Sequence, residues 1–182
     1  KLRAGSYEAR FNLGRAYFKL RKYSTSIKHY DIAGKKHGYN AKLLVQIGNS
    51  YLGAKNYAKA TEFYKKAIGK NSREVEAYKG LARCMEEQNN PSAAIVYLKE
   101  GANLTRDASL FAKMGEMYFK LRDYDLAIGA FRKAIELSVN NTRYRRLIAD
   151  VYFEKKDYKK AATEYEKVIA LNNEVVLPYL KL

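Results

Sequence analysis

Apolar side chains recur along the chain in two alternating helical stripes. Between residues 108 and 141, Phe111, Met114 and Tyr118 are spaced by three and four residues, as on one face of an α-helix. A short polar turn follows at residues 121–123. After the turn, a second stripe with the same spacing comprises Tyr124, Ala127, Ile128, Phe131, Ala134 and Ile135. The pattern predicts two helices joined by a turn.

This two-helix unit occurs five times. A small residue marks each copy, at Gly14, Gly48, Ala82, Gly115 and Ala149, with intervals of 34, 34, 33 and 34 residues. Periods of this size are typical of stacked repeats. The predicted repeats are 7–40, 41–74, 75–107, 108–141 and 142–175. A helix of about 14 residues is marginal alone in water, so stacking must stabilise the chain. We expect the small residues to let helices approach closely and the large rings to fill the space between neighbouring pairs.

The third repeat is one residue shorter than the others and the least regular. It has Met85 and Leu98 where other repeats have Tyr or Phe, which predicts a true repeat that is a softer joint in the stack. Asn90 and Pro91 are expected to be the cap and the first residue of its second helix, because an Asn side chain caps well and proline is tolerated there.

The recurring Gly/Ala, Tyr and Ala positions resemble the tetratricopeptide repeat (TPR) family over residues 7–175. The resemblance implies an all-α fold, a right-handed α-solenoid of stacked antiparallel helix pairs whose first helices line a concave groove. We expect a single solenoid domain over 1–182, with 176–182 starting a sixth repeat or forming a cap. The chain is expected to be a fragment of a longer protein.

The resemblance also implies that exposed residues of the first helices contact a partner. Phe18, Leu52, Phe119 and Phe153 hold the same position in four repeats and form an apolar row. This row can bind a partner or pack against the next repeat, and the sequence leaves both open. The predicted partner-binding residues of the concave face are Phe11, Arg15, Phe18, Lys19, Val45, Asn49, Leu52, Lys79, Arg83, Glu116, Phe119, Lys120, Arg146, Asp150 and Phe153.

Positive charge is concentrated in the first two repeats. The net charge of the chain is +16, of which residues 1–74 carry +13 and residues 75–182 carry +3. Such a field favours an acidic protein, nucleic acid or an anionic surface. A basic outer patch is predicted on the second helices and turns, although a solvated charged face is the plainer interpretation. The patch comprises Lys28, Lys35, Lys36, Lys59, Lys65, Lys66 and Lys70.

Side chains that could carry catalysis or hold a metal are sparse. His29 and His37 lie without a Cys or carboxylate at metal-ligand spacing, so they are expected at the surface. Cys84 is expected to be a small buried side chain. No phosphate-binding glycine loop or nucleophile motif is present. We therefore predict no enzyme, no metal and no cofactor. No apolar run approaches the roughly 18 residues of a membrane span. Cytoplasm is the default expectation for the location of this soluble domain, and a periplasmic or membrane-anchored parent protein stays open.

Three hypotheses for function follow. The first is a non-enzymatic adaptor that binds a partner peptide or helix in its groove and supports assembly of a larger complex. The alternative is a basic module that binds nucleic acid or an anionic surface through residues 1–74, against which the regular packing positions of the tyrosines count. The third is self-association, or contact with neighbouring domains of the parent chain, through the apolar C-terminal end at Leu177, Tyr179, Leu180 and Leu182.

Overall fold

Helices account for nearly all of the regular structure. The computed structural model describes residues 6–139 and 141–176, and in those ranges it is all-helical, as the periodicity predicts. The helices are α1 (Tyr7–Lys19), α2 (Tyr23–His37), α3 (Ala41–Gly53), α4 (Tyr57–Lys70), α5 (Val75–Glu87), α6 (Pro91–Thr105), α7 (Ala108–Lys120), α8 (Tyr124–Leu137), α9 (Thr142–Glu154) and α10 (Tyr158–Val176). Of the predicted cap or sixth repeat at 176–182, only Val176, the last residue of α10, is described. The residues invoked for self-association begin at Leu177 and lie outside the described residues.

The chain divides into two compact units, unit 1 (Lys1–Tyr97) and unit 2 (Leu98–Leu182). In unit 1, α1 packs on α2 and α3 on α4, while α2 and α4 each also pack on the first helix of the following repeat. The first helices α1, α3 and α5 contact one another in sequence order. In unit 2, α7 packs on α8, α9 on α10, and α8 on α9. The single-domain organisation stays a prediction.

Each first helix ends in the same hydrogen-bonded turn. In the first repeat, the amide of Lys22 donates to the carbonyl of Tyr17 at 2.9 Å, and that of Arg21 donates to Phe18 at 2.9 Å. This is the Schellman pattern, which satisfies the last carbonyls of a helix and requires a left-handed residue between the two helices. The residues with positive φ in these turns are Arg21, Lys55, Asn89, Arg122 and Lys156. None of them is glycine, so each turn carries a small backbone strain.

Relief of this strain should stabilise the protein. We expect Lys55→Gly to raise the free energy of unfolding by about 1 kcal/mol, because Lys55 has a φ of 59° and glycine adopts that conformation without a Cβ clash. Lys65→Gly removes the same charge from the interior of α4 and should lower the free energy by about 1 kcal/mol. Urea unfolding followed by circular dichroism compares the two. Equal shifts in the two variants would contradict the turn argument.

Polar caps begin most of the helices. The Oδ1 atom of Asn40 accepts the amide of Leu43 at 2.8 Å, and that of Asn56 accepts the amide of Lys59 at 3.1 Å. Asn90 accepts the amide of Ala93 at 3.0 Å, and Pro91 is the first residue of α6. The predicted cap of the third repeat is therefore confirmed, and these caps satisfy amides that the helix itself leaves unpaired.

Aromatic rings of the second helices pack directly on glycines of the first helices. A Cβ on Gly48 would lie 2.7 Å from Cε1 of Tyr64, and a Cβ on Gly80 would lie 2.3 Å from Cζ of the same ring. Tyr64 is 0% exposed and thus lies between α3 and α5. Gly14 makes the same room for Tyr30. The glycines therefore accommodate rings, which is more specific than the general close approach that the spacing predicts.

Unit 2 repeats this packing with a phenylalanine. A Cβ on Gly115 would lie 2.6 Å from Cε1 of Phe131, and Phe131 is 1% exposed. Phe131 belongs to one core cluster with Ile148 and Val151 of α9. The core of each unit thus continues from one repeat into the next, as the marginal stability of a lone helix pair requires.

The junction between the first two repeats contains a buried polar contact. Oγ of Ser26 donates to the carbonyl of Gly14 at 2.8 Å and lies 3.0 Å from Oγ of Ser50. Oγ of Ser50 also donates to the carbonyl of Gln46 at 2.9 Å. Both serines are 0% exposed. Each hydroxyl is therefore hydrogen-bonded within an otherwise apolar interface, which avoids the cost of an unpaired buried polar group.

Candidate partner-binding surface

The first helices of unit 1 present two adjoining clefts. The first lies between α1 and α3 and has a volume of about 380 Å³. It is cationic, because Arg15, Lys19 and Lys42 line it and no carboxylate of the described residues does. Phe11 and Phe18 supply its apolar surface, and the ammonium of Lys42 lies 5.8 Å from the ring centre of Phe11. The arrangement suits an acidic segment with apolar side chains.

The second cleft continues from the first, because Phe18 lines both. It has a volume of about 550 Å³ and an apolar side formed by Phe18, Tyr23, Leu52 and Tyr57. Its remaining lining is polar and of mixed charge: Arg21, Asn49, Gly53, Lys55, Glu76, Arg83 and Glu87. A peptide that crossed both clefts would therefore pass from a cationic region to one of mixed charge.

Phe18 and the other aromatic residues of the apolar row pack against the tyrosine that begins the next helix. The ring centres of Phe18 and Tyr23 are 5.7 Å apart, and those of Phe153 and Tyr158 are 5.4 Å apart. Phe153 nevertheless remains 53% exposed. A side chain at this position can therefore pack against a neighbouring ring and still expose part of its surface. In unit 1, the two members of the row, Phe18 and Leu52, line the second cleft.

Asn49 is oriented by a buried hydroxyl. Oη of Tyr64 donates to Oδ1 of Asn49 at 2.7 Å, and Asn49 is part of the lining of the second cleft. Tyr165 makes the equivalent bond to Asp150 at 2.7 Å, and that bond together with partial burial raises the pKa of Tyr165 to about 12. These hydroxyls remain protonated at neutral pH and act as fixed donors.

Val45 does not belong to the exposed surface. It is 3% exposed and lies in the core cluster with Leu44, Tyr64 and Leu81, so its predicted contact with a partner is corrected. The same helix position holds a longer side chain in Phe11, Lys79 and Arg146, which are half-buried or exposed. A short apolar side chain at this position stays within the helix layer, whereas a long one reaches out of it.

The predicted charged residues Glu116, Arg146 and Asp150 of unit 2 form ion pairs with neighbouring side chains. Glu116 lies 2.9 Å from Lys113 and 3.2 Å from Arg143, and Arg146 lies 3.6 Å from Asp150. Such exposed pairs contribute at most about 1 kcal/mol each. Phe119 is half-buried beside Tyr124, and Lys120 is exposed. These residues therefore form a surface that is less charged, in net terms, than that of unit 1.

The lysines of the predicted outer patch lie on α2 and α4 and are all exposed. Two of them pair along their own helix, since Lys35 lies 2.8 Å from Asp31 and Lys66 lies 2.5 Å from Glu62. Lys59 lies over the ring of Tyr51 at 5.4 Å. Among the residues that line the clefts, only Tyr23 and Tyr57, the first residues of α2 and α4, share a helix with this patch.

Tyr23 and Tyr57 line the second cleft, yet the sequence assigns them to packing alone. The signal that could identify them is their position, the first residue of each second helix, which places them beside the apolar row. Gln46 of the first cleft is detectable in the same way, as a half-buried position one helical turn from the exposed Lys42 on α3.

Cys84 and His29 take part in the packing of unit 1. Burial raises the pKa of the Cys84 thiol, which is 0% exposed as expected. His29 stacks on Tyr17 at 5.3 Å, and burial together with Arg10 lowers its pKa, so it is neutral at pH 7.

Within the described residues, no group of three His, Cys, Asp or Glu side chains is arranged to hold a metal ion. None of the helices there has the length and apolar character needed to cross a membrane.

Family models match most of the chain. Three models described as tetratricopeptide repeat match residues 7–31, 51–115 and 113–174. A TPR repeat-containing protein of Methanocaldococcus jannaschii is 29% identical over 118 residues, which are 63% of this chain and 20% of that protein. The chain thus spans about a fifth of the length of the curated relative that it matches.

Solved structures share the fold at low sequence identity. A crystal structure of MamA has a TM-score of 0.74 at 22% identity and covers 97% of this chain and 96% of its own. MamA of Desulfovibrio magneticus has a TM-score of 0.71 at 16% identity, covering 92% and 96%. A thermophilic TPR protein of Thermus thermophilus has a TM-score of 0.66 at 18% identity, covering 91% of each chain. These likenesses confirm the predicted class of stacked helix pairs, the α-solenoid.

Proposed function

The chain belongs to the tetratricopeptide repeat family, and from that premise we propose that it is an adaptor which binds a peptide or helix of a partner protein along the two clefts of unit 1. Proteins of this family bind protein partners and are typically non-enzymatic scaffolds. We propose in addition that binding along these clefts supports the assembly of a larger complex.

One observation carries the proposal: the two clefts share Phe18 and so offer a continuous surface with apolar and charged parts. Apolar anchors give affinity when they enter pockets, and surrounding charges select the partner and its direction. The cationic cleft beside α1 favours a carboxylate-rich end of the bound segment. The cleft that contains Leu52 and Glu76 favours apolar side chains at the other end, with charges of both signs around them.

Loss of the anchors should weaken capture of the partner without unfolding unit 1. We expect Phe18→Ala with Leu52→Ala to lower the affinity by about tenfold or more, because each half-buried side chain loses apolar contact with the bound segment. Affinity capture from native lysate, read by mass spectrometry, identifies the partner, and titration of that partner then measures the affinity. Unchanged affinity in the double variant would refute binding in the clefts.

A matched control is available on the same helix. Leu13 on α1 is 39% exposed and does not line either cleft. Leu13→Ala should therefore leave the affinity unchanged while it removes a similar apolar surface. Circular dichroism on all variants verifies that the helices remain folded.

Salt separates this function from nucleic-acid or anionic-surface binding by residues 1–74. Contacts with phosphates weaken steeply as salt rises, because bound counterions are released. A complex held by apolar anchors survives a high-salt wash. Loss of every captured species at high salt, together with recovery of nucleic acid at low salt, would replace the adaptor by a basic binding module.

A further inference from the structure

Unit 1 has a second apolar pocket, at the other end of the α3–α4 pair from the cleft with Leu52. Leu44, from the start of α3, is 4% exposed in its lining, and Tyr39 and Phe63 form apolar walls. The rest of the lining comes from the last two turns of α4, at Lys66, Gly69 and Lys70. The volume is about 470 Å³, which accommodates a large apolar side chain.

The walls of this pocket are held in place. The ring of Tyr39 lies against Gly34 of α2, where a Cβ would approach Cε1 to 2.3 Å. The hydroxyl of Tyr39 donates to the carboxylate of Asp31, which also lies 2.8 Å from Lys35. On the other side, Phe63 stacks on Tyr51 with ring centres 5.3 Å apart. A pocket with fixed walls binds at a lower entropic cost than one that must form on binding.

Gly69 has no packing reason to be glycine. A Cβ at this position would meet nothing within 4 Å, in contrast to Gly34 and Gly48. Glycine inside a helix costs about 1 kcal/mol relative to alanine, so α4 is weakened here without a gain in internal packing. A side chain at this position would stand at the mouth of the pocket, because Gly69 is part of its lining.

The helices beside the pocket, α2 and α4, are more basic than the second helices of the later repeats. By formal charge, α2 is +2 and α4 is +3, whereas α6, α8 and α10 are each neutral. Helix α4 contains four lysines, Lys59, Lys65, Lys66 and Lys70, and one carboxylate, Glu62. Charge complementarity therefore favours an acidic occupant.

We propose that this pocket binds one large apolar side chain of an acidic partner segment, whose carboxylates pair with Lys66 and Lys70 at the rim. A protein segment fits better than nucleic acid, because the lining is apolar and lysines cover the neighbouring rings. Lys66 lies 5.1 Å from the ring centre of Phe63, and Lys59 lies 5.4 Å from that of Tyr51. The ring faces beneath these lysines are thus not available for bases to stack on, whereas the space between Tyr39, Leu44 and Phe63 is open to a side chain.

The test uses synthetic probes and fluorescence anisotropy at physiological ionic strength. One labelled peptide alternates Glu and Ser around a central Phe, and a second has Ser in place of that Phe. The Phe peptide should bind at least about tenfold more tightly, because only it buries an apolar side chain. Equal affinities for the two peptides, or no binding of the Phe peptide, would overturn the proposal.

Variants at the mouth locate the site. Gly69→Leu should weaken the Phe peptide at least about tenfold by filling the mouth, and Lys70→Glu should weaken it by placing a like charge at the rim. Gly129→Leu is the matched control, since a Cβ on Gly129 of α8 also meets nothing within 4 Å. That variant should bind as the unmodified protein does. A Gly69→Leu variant that retains full affinity would exclude this pocket.

Two further arms distinguish the alternatives. A labelled single-stranded oligonucleotide of the same charge should bind more weakly than the Phe peptide. Tighter binding of the oligonucleotide that is insensitive to Gly69→Leu would assign the basic helices to nucleic acid and refute the peptide site. In a Phe18→Ala, Leu52→Ala background, which removes apolar anchors of the clefts, Gly69→Leu should still weaken the Phe peptide, because Leu52 and this pocket lie at opposite ends of α3 and α4. Failure of this pocket is thereby separate from failure of the clefts.

Discussion

Tyr64→Ala should unfold most of unit 1 under conditions in which the unmodified protein is folded. The side chain is 0% exposed, its ring contacts Gly48 on one side and Gly80 on the other, and its hydroxyl donates to Asn49. Truncation leaves a cavity bounded by two residues without side chains, so neighbouring atoms cannot fill it. We expect a loss of about 3–5 kcal/mol, which is a large fraction of the stability of a small domain.

Hydrogen exchange and urea unfolding measure this effect. Amides of α3, α4 and α5 should lose protection in Tyr64→Ala, because their shared core residue is gone. Tyr64→Phe isolates the hydroxyl and should cost about 1 kcal/mol. Tyr158→Ala is the control, since that tyrosine is 57% exposed, and it should cost less than about 1 kcal/mol. A loss in Tyr64→Ala no larger than in this control would contradict the central role of the ring.

Gly80→Ala should destabilise the protein, although alanine is the better helix former. A Cβ at position 80 would lie 2.3 Å from Cζ and 2.4 Å from Cε1 of Tyr64. The ring cannot move aside, because it is buried and hydrogen-bonded to Asn49. Overpacking costs about 1–3 kcal/mol or more and exceeds the gain of about 1 kcal/mol in helix propensity, so we expect a net loss of about 1–2 kcal/mol.

The same substitution at an open glycine gives the opposite sign. Gly129→Ala meets nothing within 4 Å and should stabilise α8 by up to about 1 kcal/mol. Pairing Gly80→Ala with Tyr64→Leu should cost less than the sum of the two single changes, because the smaller side chain makes room for the methyl. Thermal or urea unfolding measures the stability of the four variants, Gly129→Ala, Gly80→Ala, Tyr64→Leu and the double variant, against the unmodified protein. A Gly80→Ala variant as stable as Gly129→Ala would refute the clash.

Periodicity in the sequence predicts much of this fold because stacked repeats reuse one packing solution. The markers at Gly14, Gly48 and Gly115 correspond to the glycines that accommodate Tyr30, Tyr64 and Phe131. Gly80 could not be recognised in this way, since it has no counterpart at the same position of the other repeats. Its role follows from a ring that reaches from one repeat into the next, which is a contact in three dimensions.

The candidate site is only partly accessible to sequence reasoning. Phe11, Arg15, Phe18 and Lys19 are brought together as predicted from the family's first-helix surface, and they line one cleft. Val45 illustrates the limit, because helix position alone does not tell how far a side chain extends beyond the layer. The pocket at Gly69 brings Tyr39, which lies between α2 and α3, next to the end of α4. No local sequence pattern predicts that these residues lie together.

The two serines at the first junction make the repeats unequal as building blocks. The positions that correspond to Ser26 and Ser50 at the second junction are Ala60 and Cys84, so that contact lacks the paired hydroxyls. A recombinant chain that placed the first repeat directly before the third would bring Ser26 opposite the Cys84 thiol in a buried interface. Ser26 would keep its bond to the carbonyl of Gly14, and only the contact between the two hydroxyl oxygens would be replaced by an oxygen–sulfur contact. The junction therefore discriminates between neighbouring repeats through the size and polarity of one buried atom pair.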